Sequence, residues 1–285
     1  MPTYAVTGAT GHLGRLVIHS LIDRGTAPAD IVAVVRNPAK AVDLADQGVE
    51  IRTGDYGRPE TLAGVFDGVR RLLFISGSEP GNRVVEHGAV VDAAAAARVD
   101  RVVYTSILSA DTSVSPLAGE HKATEKLLAD SGLATTLLRN GWYTENYTSQ
   151  IDQYLQTGEI LGSAGGGRIS AATRADYAAA TVTALTADAD GNVVYELGGA
   201  AFTLGELAST ITEVTGHTVN YRDVPPAELA QTLQGYGLDE ATAGFVSAID
   251  ASIAQGALET DSTDLVELLG RPSTPLAEAV RAATR

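Results

Sequence analysis

The segment Gly8-Ala9-Thr10-Gly11-His12-Leu13-Gly14 carries the clearest chemical signature in the chain. It follows a short apolar run from Tyr4 to Thr7 and opens a helical pattern. Glycines at this spacing let a phosphate approach the backbone N–H groups, and the start of the helix offers it the positive end of the helix dipole. The anion predicted here is a dinucleotide pyrophosphate. A plain packing turn also uses glycine, but the strand–turn–helix setting favours the ligand. Further on, the second apolar run ends in Arg36-Asn37-Pro38-Ala39-Lys40. A carboxylate at this point would hold the ribose 2′-hydroxyl of NAD. Arg36, Asn37 and Lys40 instead suit a 2′-phosphate, which a guanidinium grips through paired charged hydrogen bonds. Lysine occurs only at 40, 122 and 126, so a lysine in this loop stands out, and NADPH is the expected cofactor.

Other polar residues fall where apolar runs end, the edge at which open parallel sheets collect their ligands. Asp55, after Thr53-Gly54, suits an adenine contact or the capping of a turn, and the two readings weigh equally. Ser76-Gly77-Ser78 and Tyr104-Thr105-Ser106 close two further runs, so Ser76, Gly77, Ser78 and Thr105 are candidate cofactor contacts. The stretch Arg139-Asn140-Gly141-Trp142-Tyr143-Thr144-Glu145-Asn146-Tyr147 closes the next one. It holds the single tryptophan, and its mixture of aromatic rings and amides suits a flat ring and the carboxamide of nicotinamide. Trp142, Tyr143 and Asn146 are expected to shape the acceptor pocket.

One constellation is missing. Reduction of an ordinary ketone makes a strongly basic alkoxide and needs an acid, commonly a tyrosine with a lysine four residues later. None of the ten tyrosines has one. Where that pair would fall, the chain reads His121-Lys-Ala-Thr-Glu125, and His121 with Glu125, one helical turn apart, reads as a surface pair ahead of a catalytic dyad. A quinone accepts hydride to give a delocalised, weakly basic anion, and a cationic dye is simply neutralised. Such acceptors need positioning more than proton donation. Tyr104 and His121 are the candidates for a late proton donor.

These residues need a scaffold, and the apolar pattern supplies one. Runs at Tyr4–Thr7, Ile31–Val35, Val49–Thr53, Leu72–Ile75, Arg101–Thr105 and Thr135–Leu138 read as strands. Helical patterns lie at about 12–24 (Leu13, Leu16, Val17 and Leu21 inward), 59–66, 82–97 and 121–129. This alternation predicts an α/β fold with a doubly wound parallel sheet. Beyond about Tyr143 the pattern loosens: a glycine loop at 165–167, an Ala-rich helix at 174–187, strands at 193–197 and 219–222, and a capping box of Thr203 with Glu206. Residues 1–150 are read as the cofactor domain and 151–285 as a smaller α+β lobe, interleaved so that part of 170–200 returns to the sheet. Of 285 residues, 45% are hydrophobic, and the net charge is −15. An acidic surface argues against nucleic acid. The absence of cysteine removes disulfides, thiolate chemistry and Cys-type metal sites, and no metal is expected. With no signal peptide and no apolar run long enough to span a bilayer, a cytoplasmic location is expected.

Taken together, Thr7 to Gly14, Val35 to Lys40, Tyr104-Thr-Ser106, Arg139 to Tyr143 and Thr173-Arg-Ala-Asp-Tyr-Ala178 resemble the NmrA-like atypical short-chain dehydrogenases, and within them the type 2 NAD(P)H:quinone oxidoreductases. The triphenylmethane-dye reductases are similar in the same segments. The resemblance implies a Rossmann-like fold and flavin-free, NADPH-dependent reduction of a quinone-like acceptor. It places Gly8 through Leu13 on the pyrophosphate, Arg36 on the 2′-phosphate, the Ser76 turn on the ribose side, and Arg139 through Thr144 at the nicotinamide end. A non-catalytic NADP(H) sensor is the rival reading, since NmrA itself is a regulator. A homodimer is compatible with either.

Overall fold

The computed structural model describes residues 3–77 and 81–284, so Ser78 lies outside the described residues. The first half runs β1 (Tyr4–Val6), α1 (His12–Asp23), β2 (Ile31–Val35), α2 (Val42–Asp46), β3 (Glu50–Thr53), β4 (Arg71–Phe74), α3 (Arg83–Ala96), β5 (Arg101–Ile107), α4 (Ala118–Asp130) and β6 (Ala134–Asn140). It continues through α5 (Glu145–Thr148), α6 (Ile151–Thr157), β7 (Glu159–Gly162), α7 (Arg174–Thr186), β8 (Val193–Leu197), α8 (Leu204–Thr215) and β9 (Asn220–Asp223). Helices α9 (Pro226–Gly235), α10 (Glu240–Ile253), α11 (Asp264–Leu269) and α12 (Leu276–Ala283) complete it.

Two compact units are built from interleaved segments. The first is Met1–Ala110, Gly119–Asn140 and Tyr177–Tyr195; the second is Asp111–Ala118, Gly141–Asp176 and Glu196–Arg285. The main sheet has the order β3-β2-β1-β4-β5-β6-β8, and its pairs from β3 through to β6 are parallel. The direction of winding reverses between β1 and β4, so the chains leaving these two strands diverge and open a crevice at their carboxyl ends. Val32, Val34, Leu72, Phe74, Val102 and Tyr104 fill the core of the first unit together with Val90 and Leu128. Strand β2, Ile-Val-Ala-Val-Val, is buried at every position, the pattern of a strand covered on both faces.

Three details differ from the sequence expectation. In α1 the buried face is Leu13, Gly14, Val17, Ile18 and Leu21, while Leu16 turns outward. The helix expected over 59–66 is a single 3-10 turn, Pro59–Leu62, ended by extended Ala63 and by Gly64 at φ +69°. The late strand is Asn220–Asp223, and it pairs in parallel with β7, which the sequence pattern does not reveal. The second unit has its own core around Ile160, Ile169, Phe202, Leu207, Ile211 and Leu258. Its capping box is present: Glu206 N–H donates to Thr203 Oγ1 at 3.1 Å, and Thr203 N–H donates to Glu206 Oε2 at 2.7 Å. No helix among the described residues is long and apolar enough to cross a membrane.

Candidate active site

The glycine turn leaves β1 at the winding reversal. Gly8 has φ +58°, a conformation that L side chains rarely adopt, and a Cβ on Gly14 would lie 2.4 Å from Gly8 O and 2.8 Å from Ala9 Cα. Both glycines are therefore demanded by the turn itself. Gly11 is different: it has an ordinary φ of −77°, and its added Cβ would meet a single neighbour, Gly8 O at 3.1 Å. Gly11 is also the N-cap of α1, and no side chain caps the helix. The first-turn N–H groups are left to solvent or to a ligand, as an anion site requires. Thr7 braces the base of the turn by donating to Leu73 O and accepting from Ile75 N–H at 3.0 Å.

The basic loop follows β2. Arg36 is exposed at its start. Asn37 Oδ1 accepts from Ala39 N–H at 3.0 Å, capping the 3-10 turn Pro38–Lys40. A third cation, unremarked in the sequence, reaches this loop from α1: Arg15 donates to Lys40 O and pairs with Asp43. That pairing holds the Asp43 carboxyl below the usual range. Asp55 Oδ1 accepts from Gly57 N–H at 3.2 Å, so the turn-capping role is observed.

Across the crevice, the segment after β4 is held by Thr105 and by His87 and Arg83, two groups the sequence reading does not single out. Thr105 Oγ1 accepts from Ser76 N–H at 2.9 Å and donates to Ser76 Oγ. Gly77 N–H donates to His87 Nε2 at 3.0 Å, and buried Arg83 donates to Gly77 O while pairing with Glu120. The hydrogen bonds fix the His87 tautomer. Its Nε2 must accept, so Nδ1 carries the proton and donates to Thr124 Oγ1 at 2.9 Å, which in turn donates to Glu120 O. Burial, reinforced by the Arg83 charge, pulls the His87 pKa down to about 3 and keeps it neutral.

Tyr104 and His121 do come together, with Tyr104 OH 2.8 Å from His121 Nδ1. The phenol is fully buried beside Phe74 and His87. Desolvation raises the Tyr104 pKa above its ordinary value and lowers that of His121 to about 3. A phenol held protonated and an imidazole held neutral are both weak acids near neutral pH. The expected surface pair of His121 and Glu125 is corrected. Glu125 grips Arg139 through two hydrogen bonds, 3.0 Å from Nε and 2.7 Å from Nη2, and accepts from Ser106 Oγ at 2.6 Å. Arg139 is thus tied inside the first unit, at the end of β6. The next residue, Asn140, is 4% exposed, and neither its amide oxygen nor its amide nitrogen has a partner among the described residues. A buried carboxamide with both functions open matches the donor and acceptor of another carboxamide, such as that of nicotinamide.

Gly141–Asp176 belongs to the second unit. Gly141 N–H donates to Leu197 O at 2.7 Å; Thr144 N–H donates to Ala172 O, and Ala172 N–H to Trp142 O. Trp142 is half-buried against the second core. Tyr143 and Asn146 are half-buried and are joined by Arg174, a residue the sequence reading does not single out. Its guanidinium lies over the Tyr143 ring at 4.6 Å and donates to Asn146 Oδ1 at 3.2 Å. No group of three His, Asp or Glu among the described residues is disposed to hold a metal.

A family model described as NAD(P)H-binding matches residues 8–188. Quinone oxidoreductase 2 of Escherichia coli is 48% identical over 97% of this chain and 96% of its own. The chain belongs to the NmrA-like, NAD(P)H-binding family. The crystal structure of NADPH-dependent quinone oxidoreductase QOR2 from E. coli complexed with NADPH superposes with a TM-score of 0.96 at 45% identity, covering 99% of this chain and 100% of that one. The Citrobacter sp. triphenylmethane reductase complexed with NADP(H) gives a TM-score of 0.93 at 40% identity, covering 99% and 100%. A mostly parallel, Rossmann-like sheet is common to this chain and to QOR2.

Proposed function

We propose that the chain is an NADPH-dependent, flavin-independent oxidoreductase that passes hydride to a quinone. The observation that carries this is the start of α1: an uncapped helix N-terminus at the winding reversal, reached through a glycine turn and flanked by Arg36, Lys40 and Arg15. The residues fit NADPH on structural grounds, because the start of α1 has no side-chain cap and the turn that leads into it is built of glycine. The NADPH-bound state of the E. coli structure supports the same assignment. When bound, the cofactor supplies a hydride from the C4 position of its nicotinamide ring.

The chain's own residues then divide the work. The first-turn N–H groups of α1 take the pyrophosphate, and Arg36 with Lys40 takes the 2′-phosphate. Ser76 and Gly77, fixed by Thr105, His87 and Arg83, border the ribose. Asn140 holds the carboxamide and so sets the rotation of the nicotinamide ring. Trp142, Tyr143 and Asn146 receive the acceptor. No tyrosine–lysine pair is present to protonate an alkoxide, which suits an acceptor whose reduced form is a weak base. A cytoplasmic site of action fits the cysteine-free composition. The test mixes purified protein with NADPH and simple quinones, without flavin. Cofactor oxidation well above the protein-free rate is expected, and none across a panel of quinones and triphenylmethane dyes would refute the assignment.

A further inference from the structure

We propose that Arg174 is a positioning residue that turns Asn146 into a polarised hydrogen-bond donor for the oxygen of the quinone that gains negative charge. This rests on the reading that Asn146 meets the acceptor, and it assigns to that site a means of stabilising the charge that develops there.

The argument begins with donor chemistry. A guanidinium has five N–H donors and no acceptor, so its 3.2 Å contact with Asn146 can only be made to the amide oxygen. That fixes the amide rotation. Both N–H groups of Asn146 Nδ2 are left to donate, and Nδ2 has no partner among the described residues. A cation on the amide oxygen draws electron density from the nitrogen and strengthens those donors, as chained hydrogen bonds polarise one another.

Arg174 is itself well fixed. Its guanidinium stacks on Tyr143 at 4.6 Å and lies 3.7 Å from Glu145. Its backbone N–H, the first of α7, donates to both Glu145 carboxylate oxygens at 2.8 and 3.1 Å. Glu145 therefore anchors the helix start and also neutralises the guanidinium, so the influence of Arg174 passes through the Asn146 bond rather than through net charge. The backbone bond from Thr144 N–H to Ala172 O holds the two segments in register.

In the reaction the quinone accepts hydride, the cofactor C4–H bond breaking with both its electrons. The quinone becomes a hydroquinone monoanion, which takes a proton from solvent, and the cofactor leaves oxidised. A fixed donor on the oxygen bearing that charge stabilises the transition state more than the ground state.

The test compares wild type, Arg174→Gln, Arg174→Lys, Asn146→Leu and the Arg174→Gln/Asn146→Leu double variant. With 1,4-benzoquinone and tetramethyl-1,4-benzoquinone, Arg174→Gln is expected to lower kcat by roughly tenfold with little change in the KM for NADPH. The loss is expected to be larger for the tetramethyl quinone, whose hydroquinone anion is more basic, and Arg174→Lys should recover part of it. In the Asn146→Leu background, Arg174→Gln should cost almost nothing more. A uniform loss on both quinones, or full additivity with Asn146→Leu, overturns the proposal. A second readout is independent of turnover: titration of bound 4-nitrophenol by absorbance. Wild type should favour the phenolate about tenfold more than Arg174→Gln does. No shift in wild type, or the same shift in both proteins, overturns the donor assignment. Absence of quinone turnover in wild type overturns the quinone reading instead, and leaves the phenolate titration to decide the role of Arg174.

Discussion

Adding one methyl group at Gly14 and at Gly11 separates what the turn needs from what its ligand needs. At Gly14 the new Cβ falls 2.4 Å from Gly8 O and 2.8 Å from Ala9 Cα, both backbone atoms. Reaching an ordinary contact near 3.4 Å requires α1 to recede from the turn by about 1 Å. Overpacking of this kind costs about 1–3 kcal/mol in stability. It also draws the first-turn N–H groups away from the pyrophosphate. Losing one charge-assisted hydrogen bond, at about 1.5–3 kcal/mol, weakens NADPH by roughly tenfold to somewhat over a hundredfold. At Gly11 the added Cβ meets a single backbone neighbour, Gly8 O at 3.1 Å, which must give by a few tenths of an ångström rather than about 1 Å, so Gly11→Ala should lose less stability than Gly14→Ala. On the proposed seating of the pyrophosphate its methyl would stand in the path of the phosphate, and NADPH affinity should still fall at least tenfold. Thermal unfolding without cofactor, paired with a fluorescence titration of NADPH, reads both quantities. If Gly11→Ala binds NADPH within twofold of wild type, the N-terminus of α1 is not the phosphate site and the reasoning fails.

Other expectations concern the two units and their charges. Arg36→Asp should weaken NADPH by about tenfold or more while leaving NADH within about threefold, since only the 2′-phosphate contact is lost; equal loss of both nucleotides would refute the role of Arg36. Glu125→Ala removes the two hydrogen bonds that Arg139, whose side chain is 12% exposed, makes to Glu125, and should cost about 2–4 kcal/mol, seen as a fall in Tm of roughly 5–10 °C; a fall under 2 °C would contradict the buried pairing. His87 and His121 both titrate near 3 when folded, against an ordinary value of 6.5. As pH drops from about 6.5 toward 3, the unfolded chain therefore binds protons that the folded chain refuses. Stability should decline across that window by up to about 1.4 kcal/mol per pH unit for each imidazole. Urea unfolding of wild type and His121→Gln at pH 6.5 and 5 should show a shallower decline in the variant, and equal slopes would count against the burial argument.

The scaffold was readable because parallel strands covered on both faces leave an unbroken apolar signal. Ile31–Val35 is the clearest case, and the glycine turn and Arg36 stood beside such runs. The first unit therefore emerged strand by strand. Strand β7, Glu-Ile-Leu-Gly, gives no such signal; β9 is legible as a strand at 219–222, but its pairing with β7 joins residues some sixty positions apart. The 59–66 stretch misled because Pro59 does begin a helical turn, while the left-handed Gly64 that stops it is a backbone property.

Side-chain partnerships were the least legible part. His121 and Glu125 share a helix spacing, yet each is claimed from a strand: His121 by Tyr104 on β5, and Glu125 by Arg139 on β6. Local periodicity cannot anticipate partners set by tertiary contact. The same holds for Arg174, which reaches Tyr143 and Asn146 across some thirty residues of chain. Its only local mark was its place in the segment shared with the family. The open amide of Asn140 was likewise invisible until burial was known.

Direct hydride transfer from a nucleotide seated on α1 is the claim on which the rest depends. The decisive measurement is a single-turnover reaction of flavin-free protein with NADPH and 1,4-benzoquinone, run alongside NADPH carrying deuterium at C4. One NADPH consumed per hydroquinone formed, with the deuterated cofactor reacting several-fold more slowly, is the predicted result. Oxidation only when flavin is added, or none above the protein-free rate, would contradict it.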